Sequence, residues 1–132
     1  MMLSDVRDYI ESLGIAEHVY SGKLDAKKEK SIGVYNSKHE HVYKTAIGGP
    51  ELESYGTKHI TLLVHWNKSQ RETEKAATDL FKKITLVREE KINDVTMKFI
   101  LPIYDLQDVG TVENGIYEMV IEAAVIYEKE GK

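Results

Sequence analysis

At 132 residues, with 42% hydrophobic and 30% charged side chains, the chain can bury roughly two-thirds of the surface its unfolded form exposes, and it is too apolar to be a disordered polymer. A net charge of −4 and a pI near 5.7 argue against a protein that wraps phosphates, which carries a basic excess. The lack of cysteine excludes disulfides and thiolate metal sites and fits a reducing compartment.

In chain order, Val6, Tyr9, Ile10 and Leu13 recur at helical spacing and predict a helix over Asp5–Leu13. Ser4 is its expected N-cap, Asp5 and Asp8 sit where the helix dipole favours acids, and Gly14 is the expected left-handed stop. Val19-Tyr20 predicts a short strand and Ile32–Asn36 a second. Between them Gly22–Lys30, with Lys23, Lys27, Lys28 and Lys30 set against Asp25 and Glu29, reads as a solvated connector. Ser37–Glu53 carries few signals for helix or strand. It holds His39, His41, Gly48, Gly49 and Pro50, and a long loop, about 37–54, is expected there; Val42–Ile47 is the part that could extend a sheet.

Tyr55–Trp66 alternates as a strand. Ile60, Leu62, Val64 and Trp66 share one face, expected to pack on a helix; Thr57, His59, Thr61, Leu63 and His65 share the other, expected nearer solvent or a partner. Ser69 and Glu72 are spaced as a capping box, opening a helix whose buried stripe is Ala76, Ala77, Leu80, Phe81 and Ile84. After a charged connector, Val95–Leu101 reads as a strand with Val95, Met97, Phe99 and Leu101 inward, ended by Pro102. A polar, acidic turn region with Asp105, Asp108 and Glu113 follows. The last strand, about Gly115–Tyr127, has a wholly apolar or aromatic core face (Tyr117, Met119, Ile121, Ala123, Val125, Tyr127). Its other face mixes Glu118 and Glu122 with Ile116, Val120 and Ile126 and reads either as a subunit contact or as an ordinary exposed surface. The sum is a single domain over residues 1–132 of α+β class: a mostly antiparallel twisted sheet with two main helices on one face.

The sequence offers little bond-making chemistry. His39 and His41 alternate as two metal ligands in a strand would, but no third ligand accompanies them, and His59 and His65 are roughly 20 Å apart along their strand; the plain reading is polar loop residues and no metal. No serine sits in a GxSxG elbow. Asp105, Asp108 and Glu113 resemble a hydrolase pair no more than any acidic turn does. Gly48-Gly49-Pro50 lacks the Lys-Ser/Thr of a phosphate-binding loop. Tyr35, Lys38, Tyr43 and Lys44 could stack on single-stranded nucleic acid, against the acidic total charge. The expectation is no catalytic residue and no cofactor, with a single-stranded nucleic-acid-binding module as the alternative and a small metal-dependent hydrolase behind it. No basic region followed by an apolar stretch opens the sequence, so no secretory leader is expected; with no apolar run long enough for a membrane, a cytoplasmic site of synthesis is expected.

Taken in order, HVYSGKL, IGGPELESYG, NKSQRETEKAATDLFKKI and PIYDLQDVGTVENGIYE resemble a family of small minor capsid and tail-completion proteins of long-tailed bacteriophages and prophages: tail terminators and head-tail joining components. The resemblance implies a twisted sheet with packed helices and a homo-oligomeric ring, commonly of six copies, that caps the tail tube and meets the head connector. It also implies that genome DNA passes through the lumen without specific binding. It implies a virion protein assembled in the host bacterial cytoplasm, with no membrane and no enzymatic role. Contacts with neighbouring subunits or partners are then expected from Gly48, Gly49, Pro50 and Tyr55, from the His59/His65 face, and from Asp105, Asp108 and Glu113.

Overall fold

The computed structural model describes residues 1–37, 55–112 and 114–128. Its elements follow as α1 (Leu3–Ser12), β1 (His18–Ser21), β2 (Ser31–Asn36), β3 (Tyr55–His65), α2 (Gln70–Thr85), β4 (Glu90–Ile92), β5 (Val95–Pro102), β6 (Gln107–Thr111) and β7 (Tyr117–Glu128). This is an α+β fold: two helices cover one face of a seven-stranded, mostly antiparallel sheet of order β1-β2-β3-β7-β5-β4, with β6 also paired to β7.

The long alternating strands make the centre. β7 pairs with β3 along its length, from Tyr55↔Glu128 to His65↔Glu118. On its other edge it takes two strands in succession, β5 beside its C-terminal half and β6 beside its N-terminal half. The core lies on the helix side, where Ile60, Leu62, Val64, Met119, Ile121, Ala123 and Val125 meet Val6 and Ile10 of α1 and Ala77, Leu80 and Ile84 of α2. Among side chains of α2 assigned inward by spacing, only Phe81 stays partly exposed, while Thr73 is buried and donates its hydroxyl to the Ser69 carbonyl at 2.9 Å.

The helix ends differ in detail from the sequence reading. α1 begins at Leu3, so Ser4 lies inside it, and the Met2 N–H donates to the Asp5 carboxylate at 2.8 Å. Gly14 takes the expected left-handed conformation, φ 70°. At α2 the Ser69 hydroxyl accepts from the Glu72 N–H at 3.2 Å, but the reciprocal bond runs through Asn67. Asn67 accepts the Ser69 N–H at 2.9 Å and donates to Glu72 at 2.7 Å, so a three-residue cap replaces the two-residue box.

Three further differences have physical causes. β1 and β2 are parallel, joined by Gly22–Lys30, a connection shorter than the usual crossover of about a dozen residues. β5 is inward-facing as expected at Val95 and Met97, but the register shifts by one between Met97 and Phe99. Such a bulge inverts the alternation beyond it: Ile100 becomes core, while Phe99 and Leu101 turn outward at 41% and 50% exposure. β4 and β6 also arise from stretches read as connector and turn. β4 returns into β5 through Asn93-Asp94, both with positive φ, the two-residue hairpin turn that matches strand twist. Among the described residues no helix is long and apolar enough to cross a membrane.

Candidate functional site

The helix-free face of the sheet holds most of the residues that the sequence singled out. Its rows follow from strand register: Ser31, His65, Glu118 and Gly110 stand side by side, and so do Tyr35, Thr61 and Glu122. The mixed face of β7 is not open. Glu118 and Glu122 are each only 9% exposed, because each carboxylate has found partners inside the face. Glu122 accepts from the Thr61 hydroxyl at 2.9 Å and from the Ser37 hydroxyl at 3.2 Å. Glu118 meets His65 Nδ1 at 2.6 Å. Burying a carboxylate is tolerable only with such partners.

His65 itself is completely buried, which corrects the expectation that it faces solvent or a partner. Its Nε2 lies 2.9 Å from the Ala26 carbonyl. A carbonyl only accepts, so Nε2 carries a hydrogen; a second hydrogen must then lie between Nδ1 and the Glu118 carboxylate. The imidazole therefore fastens the Gly22–Lys30 connector to the sheet. More bonds hold the connector: Ser31 Oγ to the Lys28 carbonyl at 2.9 Å, Lys30 N–H to the Trp66 carbonyl at 2.7 Å, and Gly22 N–H to the Val34 carbonyl at 2.9 Å. The Tyr35 phenol is pushed above its ordinary pKa by burial, partly offset by a backbone hydrogen bond at Leu24, and the nearby Glu118 charge adds to the rise. The connector is thus strapped across the face rather than solvated all round, while Lys23, Lys27 and Lys28 project outward, exposed.

Tyr35 lies back over Gly33, where a Cβ would come within 2.6 Å of its ring. That ring is committed inside the fold, which weakens the nucleic-acid stacking set; Lys38, Tyr43 and Lys44 lie outside the described residues. Gly48, Gly49, Pro50, Glu113, His39, His41 and the expected 37–54 loop likewise fall outside them, apart from Ser37 at the loop's start.

The remaining contact candidates do not converge. Tyr55 opens β3, half exposed, with the Lys98 ammonium 5.9 Å from its ring centroid; Lys98 also pairs with Glu89 and with Glu128. His59 is partly buried in register with Ala124. Asp105 is exposed in the turn between β5 and β6. Asp108 is exposed on β6 and accepts the Gly110 N–H at 2.9 Å. Asp108 is level with Met119, and through it with Val64, roughly 30 Å along β3 from Tyr55. Among the described residues no group of three or more His, Asp or Glu could hold a metal ion.

One surface escaped the sequence reading. Phe99, Leu101, Ile103, Tyr104 and Val109 are all exposed along β5, the following turn and β6. The available signal was the lack of any Lys or Arg from Phe99 to Val112, since natural sheet edges are commonly blunted by charge, especially lysine.

What this molecule presents is a set of surfaces: an edge with exposed apolar side chains, a strapped lysine loop and a half-covered sheet face, the equipment of an assembly protein. A family model described as bacteriophage tail terminator protein matches residues 9–129, and the chain belongs to that family. It is a structural component of the phage tail. Among curated proteins none matches the chain.

Proposed function

We propose that the protein is the ring-forming subunit that caps the tail tube and joins it to the head connector. The observation that carries this is the extent of the family match, residues 9–129, which takes in all seven strands, α2 and the end of α1. A subunit ends polymerisation when one of its faces resembles a tube subunit and the other cannot accept another; a closed ring needs head-to-tail contacts whose rotation closes. Tyr55, His59, Asp105 and Asp108 remain contact candidates, and the fully buried His65 is withdrawn from that set. Gly48, Gly49, Pro50 and Glu113 stay on it by sequence alone. The net charge of −4 suits a lumen through which DNA slides without being held, because retention needs cationic contacts to phosphate. Assembly would take place in the host cytoplasm, with no catalytic step.

The test is genetic and visual. In a phage or prophage whose copy of this gene is inactivated, electron micrographs should show tails of uncontrolled length unattached to heads, and supplying the wild-type chain should restore uniform, head-bearing tails. Tails of normal length joined to heads in its absence would refute the role.

A further inference from the structure

We infer that neighbouring copies join by seating the apolar edge around the β5–β6 turn of one subunit against the strapped lysine connector of the next. The inference rests on the ring reading above and names the surfaces that make the ring.

The edge is built to be covered. Ile103, Tyr104 and Val109 are exposed at about half of their surface, and β6 has β7 on one side and no strand on its other side among the described residues. Exposed apolar side chains grouped along an open strand mark an interaction surface. Within the segment from Phe99 to Val112 the charged side chains among the described residues are Asp105 and Asp108, with no Lys or Arg; the Arg88 guanidinium lies at the far end of the patch, 5.4 Å from the Phe99 ring. Among the described residues neither carboxylate is in an ion pair, and Asp108 accepts the Gly110 N–H.

The connector is the complement. It carries four lysines against Asp25 and Glu29, and Lys23, Lys27 and Lys28 are exposed and, among the described residues, in no ion pair. Their backbone is held in place by the buried His65–Glu118 pair through the Ala26 carbonyl, and by Ser31 through the Lys28 carbonyl. Fixing a lysine loop so firmly lowers the ordering cost of binding, and the lysine stems can lie on apolar side chains while their ammonium groups reach carboxylates. In one chain the connector springs from the β1–β2 side of the sheet and the acidic edge lies beyond β7. Two different patches that match each other, rather than one patch matching itself, give a head-to-tail contact. Edge on edge would set aspartates against aspartates, a like-charge arrangement that selects against that pairing.

A charge swap tests this on the full chain. Association of the wild type, Asp105→Lys/Asp108→Lys, Lys27→Glu/Lys28→Glu and the four-site combination would be measured by sedimentation, alone and on isolated tail tubes of the same phage. Thermal melts would confirm that each variant folds, and Asp105→Lys alone serves if the double variant does not. Each reversal should weaken ring formation at least tenfold, and the combination should recover it to within a few-fold of wild type. Rings that form equally well in all variants, or a combination no better than either reversal, would overturn the pairing and leave the ring standing. A wild type that forms no ring either alone or on tubes would remove the ring reading and this pairing together.

Discussion

At the scale of single residues, the buried polar groups carry the most information. His65 sits between two acceptors, Glu118 and the Ala26 carbonyl, and removing either partner strands the others in a dry site. His65→Ala should cost about 3 kcal/mol of unfolding free energy and loosen the connector. Glu118→Gln should cost much less, because its amide can donate to Nδ1 while Nε2 still serves Ala26. Chemical denaturation, with hydrogen exchange over residues 22–30, would read both; equal losses would show that the imidazole is held by packing alone. Tyr9 gives a prediction about pH. Burial, with a smaller push from Glu90, raises its phenol from 10.0 to about 12. The folded state therefore keeps this proton more tightly than the unfolded state does. The associated stability is fully present below pH 10 and is lost as pH rises from about 10 to 12. In Tyr9→Phe, stability should no longer fall through that window on this residue's account, as alkaline denaturation midpoints would show.

At the scale of elements, α1, α2, β3 and β7 are legible because their side chains repeat cleanly, and both helix stripes and the core faces of both strands stand nearly as the spacing predicts, whereas His65, Glu118 and Glu122 on the other faces are buried. β5 was legible as a strand and wrong beyond Met97, since a bulge is a backbone event that leaves no mark in an alternating apolar run. Ile100 is almost fully buried, whereas Phe99 is 41% exposed. Ile100→Ala should therefore cost about 2–4 kcal/mol through the cavity it leaves, and Phe99→Ser well under half of that; the reverse order in urea melts would place the bulge elsewhere. β4 and β6 were missed because short, polar strands are specified by the neighbour they bond to rather than by their own side chains. The acidic face of β7 reads as a subunit contact or an exposed surface for a similar reason: Thr61 and Ser37 are remote from Glu122 in sequence, and Ala26 from His65, so their satisfaction is invisible until the strands are in register. The Ser69 cap was visible in outline, with Asn67 the unforeseen third member. Ser69→Ala should lower stability by about 1 kcal/mol without changing the denaturant slope.

At the scale of the whole molecule, stability is concentrated at the β3–β7 centre. Amides there should exchange only by global unfolding, while those of the edge strands β1 and β6 should exchange through local opening. Native-state hydrogen exchange would check this gradient, and protection highest at β1 would contradict it. The same gradient leaves the edges free to adjust without disturbing the core, which suits the edge contacts proposed above.

β7 also governs the order in which the chain can be finished. Its three partners β3, β5 and β6 all precede it in synthesis, and none of them pairs with another. Until residues 117–128 are made, the halves of the sheet have no common seam, so the nascent polypeptide waits with unpaired strands exposed. Contacts this distant in sequence slow folding, and unpaired strands at such a stage are prone to aggregate. The two halves of the sheet are therefore joined only once residues 117–128 are in place.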